Sequence, residues 1–175
     1  EDKDDNSLPP TVLPICLTVL AQMLGEGVAI ASIPLHLKSL GASGMQVGLA
    51  TSAFSIAQMV CCPFIVRLSG RLGRKRMLRT CLAGATMSSF IIALSPTIVG
   101  VIFGRFLAGV FAASVPVAQA GVTDLVPARK SGLALSRVAS ASQSGVVIGP
   151  AASALFTTLF VLVGIPERLH ARACF

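Results

Sequence analysis

Two ionisable residues stand alone inside long uncharged stretches: Glu26 in the run 11–37 and Arg105 in the run 97–123. An acid can take up and release a proton, and a permanently charged base can pair with that acid or with a solute. Apolar surroundings penalise both groups unless they are paired. Such residues either line a polar cavity or form a static buried ion pair or substrate contact, and all of these readings stay open. A second cluster occupies residues 67–79, which hold six of the fourteen Lys and Arg residues, Arg71, Arg74 and Lys75 among them. Gly73 lies within it and allows a sharp turn. Asp124, at the end of a later run, is within reach of Arg71 or Arg74, and such a pair would latch one face. An aspartate left in water at a helix end is the alternative, and is worth little. The third set is small. Gly109 stands one helical turn after Arg105, and Gly145-Val-Val-Ile-Gly149-Pro150 spaces two glycines four apart. That spacing lets helices approach closely in lipid. Pro150 removes one backbone hydrogen bond and bends its helix. Plain tight packing, with no gating role, accounts for this set equally well.

Other chemistry is not supported. The five cysteines (Cys16, Cys61, Cys62, Cys81 and Cys174) lack metal-ligand spacing and read as small packing residues. His36 and His170 are isolated and read as solvated loop residues. No nucleophile–base pairing, phosphate loop or nucleic-acid motif stands out. The expectation is no enzyme, no metal, no cofactor and no nucleic-acid partner.

The elements that must position these residues follow from composition. The 175 residues are 54% hydrophobic and 12% charged, with mean hydropathy +0.82. Soluble domains carry about 25% charged residues. The charges cluster and leave five apolar runs, 11–37, 45–66, 77–95, 97–123 and 133–165, each near the length a bilayer requires. One soluble core cannot hide five such helices. The fold class is therefore all-α: a polytopic membrane protein with about five transmembrane helices, its first partner the lipid bilayer, and its membrane not identified. Residues 1–10 read as a polar arm and 166–175 as a short mixed tail. A start at Glu1 rather than Met means either a processed or trimmed chain or a start that lies upstream of these residues.

Loop charge sets orientation. The net charge of +7 concentrates in residues 67–79 and around Arg129, Lys130 and Arg137. The opposite side carries Lys38, Arg168 and Arg172. The positive-inside bias places the N-terminus and both basic loops in the cytoplasm or its organellar equivalent. At a rise of 1.5 Å per residue, Glu26 lies about 16 Å below the outer end of its run and Arg105 about 13 Å below Pro96. The depths are similar, so the two can meet.

The stretch 68–78 resembles the signature loop of the major facilitator superfamily, G-x-L-S-D-R-x-G-R-K-x-x-L. Leu68, Ser69, Arg71, Gly73, Arg74, Lys75 and Leu78 match; Val66 replaces the first glycine and Gly70 the aspartate. Arg105-Phe-Leu-Ala-Gly109 resembles the family's R-x-x-x-G stretch, and Asp124-Leu-Val-Pro127 its D-x-x-P basic loop. The run from Gly145 to Pro150 resembles the G-x-x-x-G-P motif of the drug:proton antiporter branch. Four matches in order cover most of the chain.

The resemblance implies the N-terminal part of a transporter that moves a small organic solute by alternating access, with proton coupling. It implies a proton role for Glu26, with Arg105 competing for its carboxylate. Family transporters have two six-helix halves around a midplane site, and this chain supplies about five spans. The alternative is a truncated relative serving as a non-transporting structural subunit, whose partners would be other membrane protein subunits.

Overall fold

The computed structural model describes Pro9 and residues 12–162, with backbone alone at 156, 157 and 159–162. The rest of the polar arm, the tail, His170 and Cys174 lie outside the described residues. Among the described residues there are six helices: α1 (Val12–Ser39), α2 (Gly44–Leu72), α3 (Arg74–Leu94), α4 (Ile98–Phe111), α5 (Ser114–Leu125) and α6 (Ala128–Leu162). Helices α4 and α5 share one crossing. Among the described residues, α1, α2, α3 and the α4–α5 stretch are each long and apolar enough to cross a bilayer. The 35-residue α6 is the longest and runs beside α1. Large apolar side chains cover the outside: Met59, Phe64, Phe90, Val99, Phe103 and Val147 are all exposed. Water would penalise such a surface, and lipid does not.

Local chemistry explains the boundaries. At the start of α2, the Ser43 hydroxyl accepts from the Gln46 backbone N–H and the Gln46 side chain accepts from the Ser43 N–H. That reciprocal pair satisfies two otherwise orphaned donors. The basic stretch is helical on both sides of a single turning residue, Gly73, at φ 94°. L side chains avoid that region, so glycine alone makes a one-residue turn cheaply. Thr97 caps α4 by accepting from the Gly100 N–H.

The fourth crossing, expected as one run, is broken at Ala112–Ala113, where ψ is 13° at both residues. Pro116 is the physical reason. It has no N–H to give the Ala112 carbonyl, and its ring crowds that carbonyl. The Ala112 N–H shortens its bond to the Gly109 carbonyl, and the helix restarts with Val117 on Ala113.

Parallel neighbours dominate the packing. Residues 20–24 of α1 lie against Gly145, Gly27 lies against Gly149, and the Ser32 hydroxyl meets Ser153 at 2.9 Å. Thus α1 and α6 run in the same direction. Likewise α2 runs with the fourth crossing: Ala50 packs with Val101, and Phe54 and Ala57 pack with Gly109. Helix α3 packs antiparallel to α4, with Phe111 over Gly84 and Ile92 over Gly104. The buried apolar residues form two layers. One, toward the basic end, contains Val19, Cys81, Val117, Val122 and Val138. The other, at the opposite end, contains Ile33, Leu37, Ala50, Ile92 and Val101. No fully buried member of either layer lies between Val19 and Ala29 on α1 or between Val101 and Ala113 on the fourth crossing, though Met23 and Ile102 pack against the layers from the edges of those stretches.

Candidate functional site

Glu26 and Arg105 occupy that gap. Arg105 Nη1 donates to Glu26 Oε1 at 3.1 Å, and the two side chains are 5% and 22% exposed. The helices bring together the two residues of similar depth. The guanidinium also lies over the Phe54 ring, 4.3 Å from its centroid. Arg105 therefore draws one partner from α1 and one from α2. Its Nε has no hydrogen-bond partner among the described residues.

Sequence reasoning missed several residues here. Gln22 stands one turn before Glu26 on the same helix face. It is buried, and its Oε1 is without a partner among the described residues. Ser114, just past the helix break, is fully buried with its hydroxyl likewise unpartnered. The four-residue spacing of Gln22 and Glu26 was a readable signal for the first, and Pro116 for the break that carries the second. Nothing in the sequence pointed to Phe54, because the pairing of α2 with α4 is a tertiary fact.

The glycines act where backbones meet. A Cβ on Gly149 would lie 2.6 Å from the Gly27 Cα, and one on Gly145 would lie 2.6 Å from the Met23 Cβ. A Cβ on Gly27 would lie 3.0 Å from the Val146 carbonyl oxygen. Pro150 deprives that same carbonyl of its helical donor, so the carbonyl is turned toward a residue that carries only hydrogen. Gly27 joins the predicted Gly145, Gly149 and Pro150 as the fourth member of this contact. Gly109 does the same for α2: the Phe54 carbonyl fills the place of its Cβ, and Ala57 Cβ lies 2.9 Å from it.

At the basic end, Arg74 rather than Arg71 reaches Asp124. Arg74 Nε donates to Asp124 Oδ2 at 2.9 Å, with the side chains 30% and 59% exposed. Arg74 Nη1 donates to the Ser69 hydroxyl at 2.6 Å, and that hydroxyl donates to the Val66 carbonyl. The turn at Gly73 places Arg74 at the first position of α3, facing the end of α5. Arg71 and Lys75 are exposed, and so is Gly70. A groove of about 580 Å³ opens beside this pair between α1, α3 and α5, floored by Pro14, Ile15, Leu78 and Val117. Glu26 and Arg105 are not part of its lining.

His36 departs from expectation. It is 2% exposed within the last turns of α1, not a solvated loop residue, because α1 continues to Ser39. Cys16, Cys61, Cys62 and Cys81 are free thiols within the helices. Among the described residues, no three of His, Cys, Asp and Glu gather where they could hold a metal ion.

Known proteins resemble this chain in sequence and in fold. The chain is 33% identical over 135 residues to "Multidrug resistance protein 2" of Bacillus subtilis (strain 168), covering 77% of this chain and 34% of that protein. It is 29% identical over 128 residues to "Quinolone resistance protein NorA" of Staphylococcus aureus (strain Mu50 / ATCC 700699), covering 73% of this chain and 33% of that protein. The chain thus spans about a third of the length of these relatives. Among solved structures, the human organic anion transporter MFSD10 (TETRAN) superposes with a TM-score of 0.69 at 19% identity, over 95% of this chain and 45% of that one. That likeness concerns the fold. The family model of the Major Facilitator Superfamily matches residues 15–166. This multi-pass integral membrane protein belongs to the Major Facilitator Superfamily.

Proposed function

We propose that the chain serves as the first five crossings of a transporter that exchanges a small organic solute for protons by alternating access. The observation that carries this is the Glu26–Arg105 pair, a buried arginine on a partly buried carboxylate between two apolar layers. Ionisable side chains at such depth are costly and mark solute or proton paths. The names of the relatives, a multidrug resistance protein and a quinolone resistance protein, support an organic solute.

The chemistry is a competition for one carboxylate. With Glu26 ionised, Arg105 ties α1 to the fourth crossing. A proton on Glu26 removes the charge that holds the guanidinium, and the seam between the two crossings loosens. A cationic solute at the carboxylate would have the same effect. A ligand shifts a conformational equilibrium only through unequal affinity for the two states, and the proton meets that condition here. The Arg74–Asp124 pair latches α3 to α5 in this state, and the Gly27, Gly145, Gly149 and Gly109 contacts are the surfaces on which the crossings rock. The test is Glu26→Gln in the full-length native transporter, reconstituted in vesicles with an imposed pH gradient. Solute movement should lose its dependence on the gradient. Gradient-driven transport at the wild-type rate would sink the proposal.

A further inference from the structure

We infer that Phe54 is a positioning residue for Arg105: its ring face keeps the guanidinium in place when Glu26 is neutral. The functional consequence rests on the proton-linked reading of Glu26, whereas the positioning itself does not.

Arg105 is 4% exposed, so water does not solvate it freely. Its described contacts are one carboxylate oxygen at 3.1 Å and one aromatic face at 4.3 Å. Among the described residues, the other charged or titratable side chains of the crossings sit toward their ends: His36 and Lys38 on α1, Arg67 and Arg71 on α2, Arg74 to Arg79 on α3, Asp124 on α5, and Arg129, Lys130 and Arg137 on α6. None substitutes for Glu26 at mid-depth. A protonated Glu26 therefore leaves a buried cation without its counter-charge, which is a heavily penalised state. The ring does not titrate. Its attraction for the cation persists through the proton step and strengthens with desolvation.

Backbone contact sets where the ring stands. Gly109 lies one turn from Arg105 on the same helix face, and the Phe54 carbonyl occupies the place of its missing Cβ. Helix α2 thus docks on α4 through bare backbone at residue 54, and the ring of that residue falls at the level of the guanidinium. The spacing of Arg105 and Gly109 acquires a physical account: one face of α4 supplies both the charge and the notch that brings the ring to it.

The test reads the arginine directly. The full-length transporter is labelled with 15N-arginine and placed in lipid nanodiscs. The Arg105 Nε–Hε signal, assigned through Arg105→Lys, is followed for ring-current displacement and for exchange with solvent. In Glu26→Gln, which mimics the neutral acid, the signal should stay ring-shifted and exchange within about threefold of wild type. In Glu26→Gln/Phe54→Leu the ring shift should vanish and exchange should rise roughly tenfold or more. Phe54→Tyr in the same background should restore both. Gly109→Ala, with the ring intact, should weaken the shift by displacing α2. Two results would overturn the inference: Glu26→Gln alone exchanging as fast as the double variant, or Phe54→Leu leaving the Glu26→Gln signal unchanged. Gradient-driven transport that ignores Glu26→Gln would defeat the proton-linked reading and leave this measurement standing.

Discussion

The described residues hold two arginine–carboxylate pairs of nearly equal length, 3.1 Å for Arg105–Glu26 and 2.9 Å for Arg74–Asp124. Their surroundings differ. Arg105 is closed in by α1, α2 and α4, whereas Asp124 is 59% exposed at a helix end. Length therefore does not rank them. What ranks them is the alternative each charge has when its partner is lost. Asp124 and Arg74 can turn to water, while Arg105 has only an aromatic face. In the proposed mechanism the mid-depth tie is the switch, and the exposed pair is at most a latch.

The largest expected effect tests that ranking at its strong end. Arg105→Leu leaves a partly buried carboxylate uncompensated and should destabilise the fold by about 3–5 kcal/mol. It would be read as a drop in thermal midpoint in detergent, with Glu26→Leu added on top recovering most of the loss. A single variant that melts like wild type would break the comparison. Next, Gly149→Val forces a side chain into the space 2.6 Å from the Gly27 Cα, on the helix that carries Glu26. Overpacking there should cost about 1–3 kcal/mol and weaken the Arg105–Glu26 contact, checked by the same melt and by the Arg105 signal. At the exposed end, Gly73→Ala strains a residue at φ 94° and should cost roughly 1–2 kcal/mol. It shifts the turn that aims Arg74 and leaves the mid-depth pair untouched. The smallest effect belongs to Asp124→Asn, about 0–1 kcal/mol. Raising salt from 0.05 to 0.5 M should shrink it further by screening. A loss at Asp124 as large as that at Arg105 would show that depth does not govern the two pairs.

Much of this was legible along the chain. Glu26 and Arg105 stand out because each interrupts an uncharged run, and their similar depths follow from helical rise alone. Gly73 is legible because a basic stretch between two apolar runs must turn somewhere. The choice between Arg71 and Arg74 was not legible. Both are near the turn, and only the direction in which α3 leaves Gly73 decides that Arg74 faces α5. Phe54, Gly27 and Ser114 were hidden for a related reason. Each matters through a neighbour 50 or more positions away on another helix, or through a break whose cause, Pro116, passed unnoticed inside an apolar run.

By itself the sequence determined the membrane class, the helical crossings, the side on which the basic loops gather, and the two charges that must find partners. Those properties depend on hydropathy, charge placement and backbone geometry, which act over one helix at a time. Only the tertiary structure decided that α1 runs parallel to α6 over bare glycine backbones, that α2 docks on α4 at Gly109, and that Arg105 therefore sits between a carboxylate and a ring. In lipid, apolar side chains gain little by leaving their solvent for one another. The helices settle where backbones fit closely and polar groups are satisfied, and that fit belongs to pairs of surfaces rather than to either strand of sequence read alone.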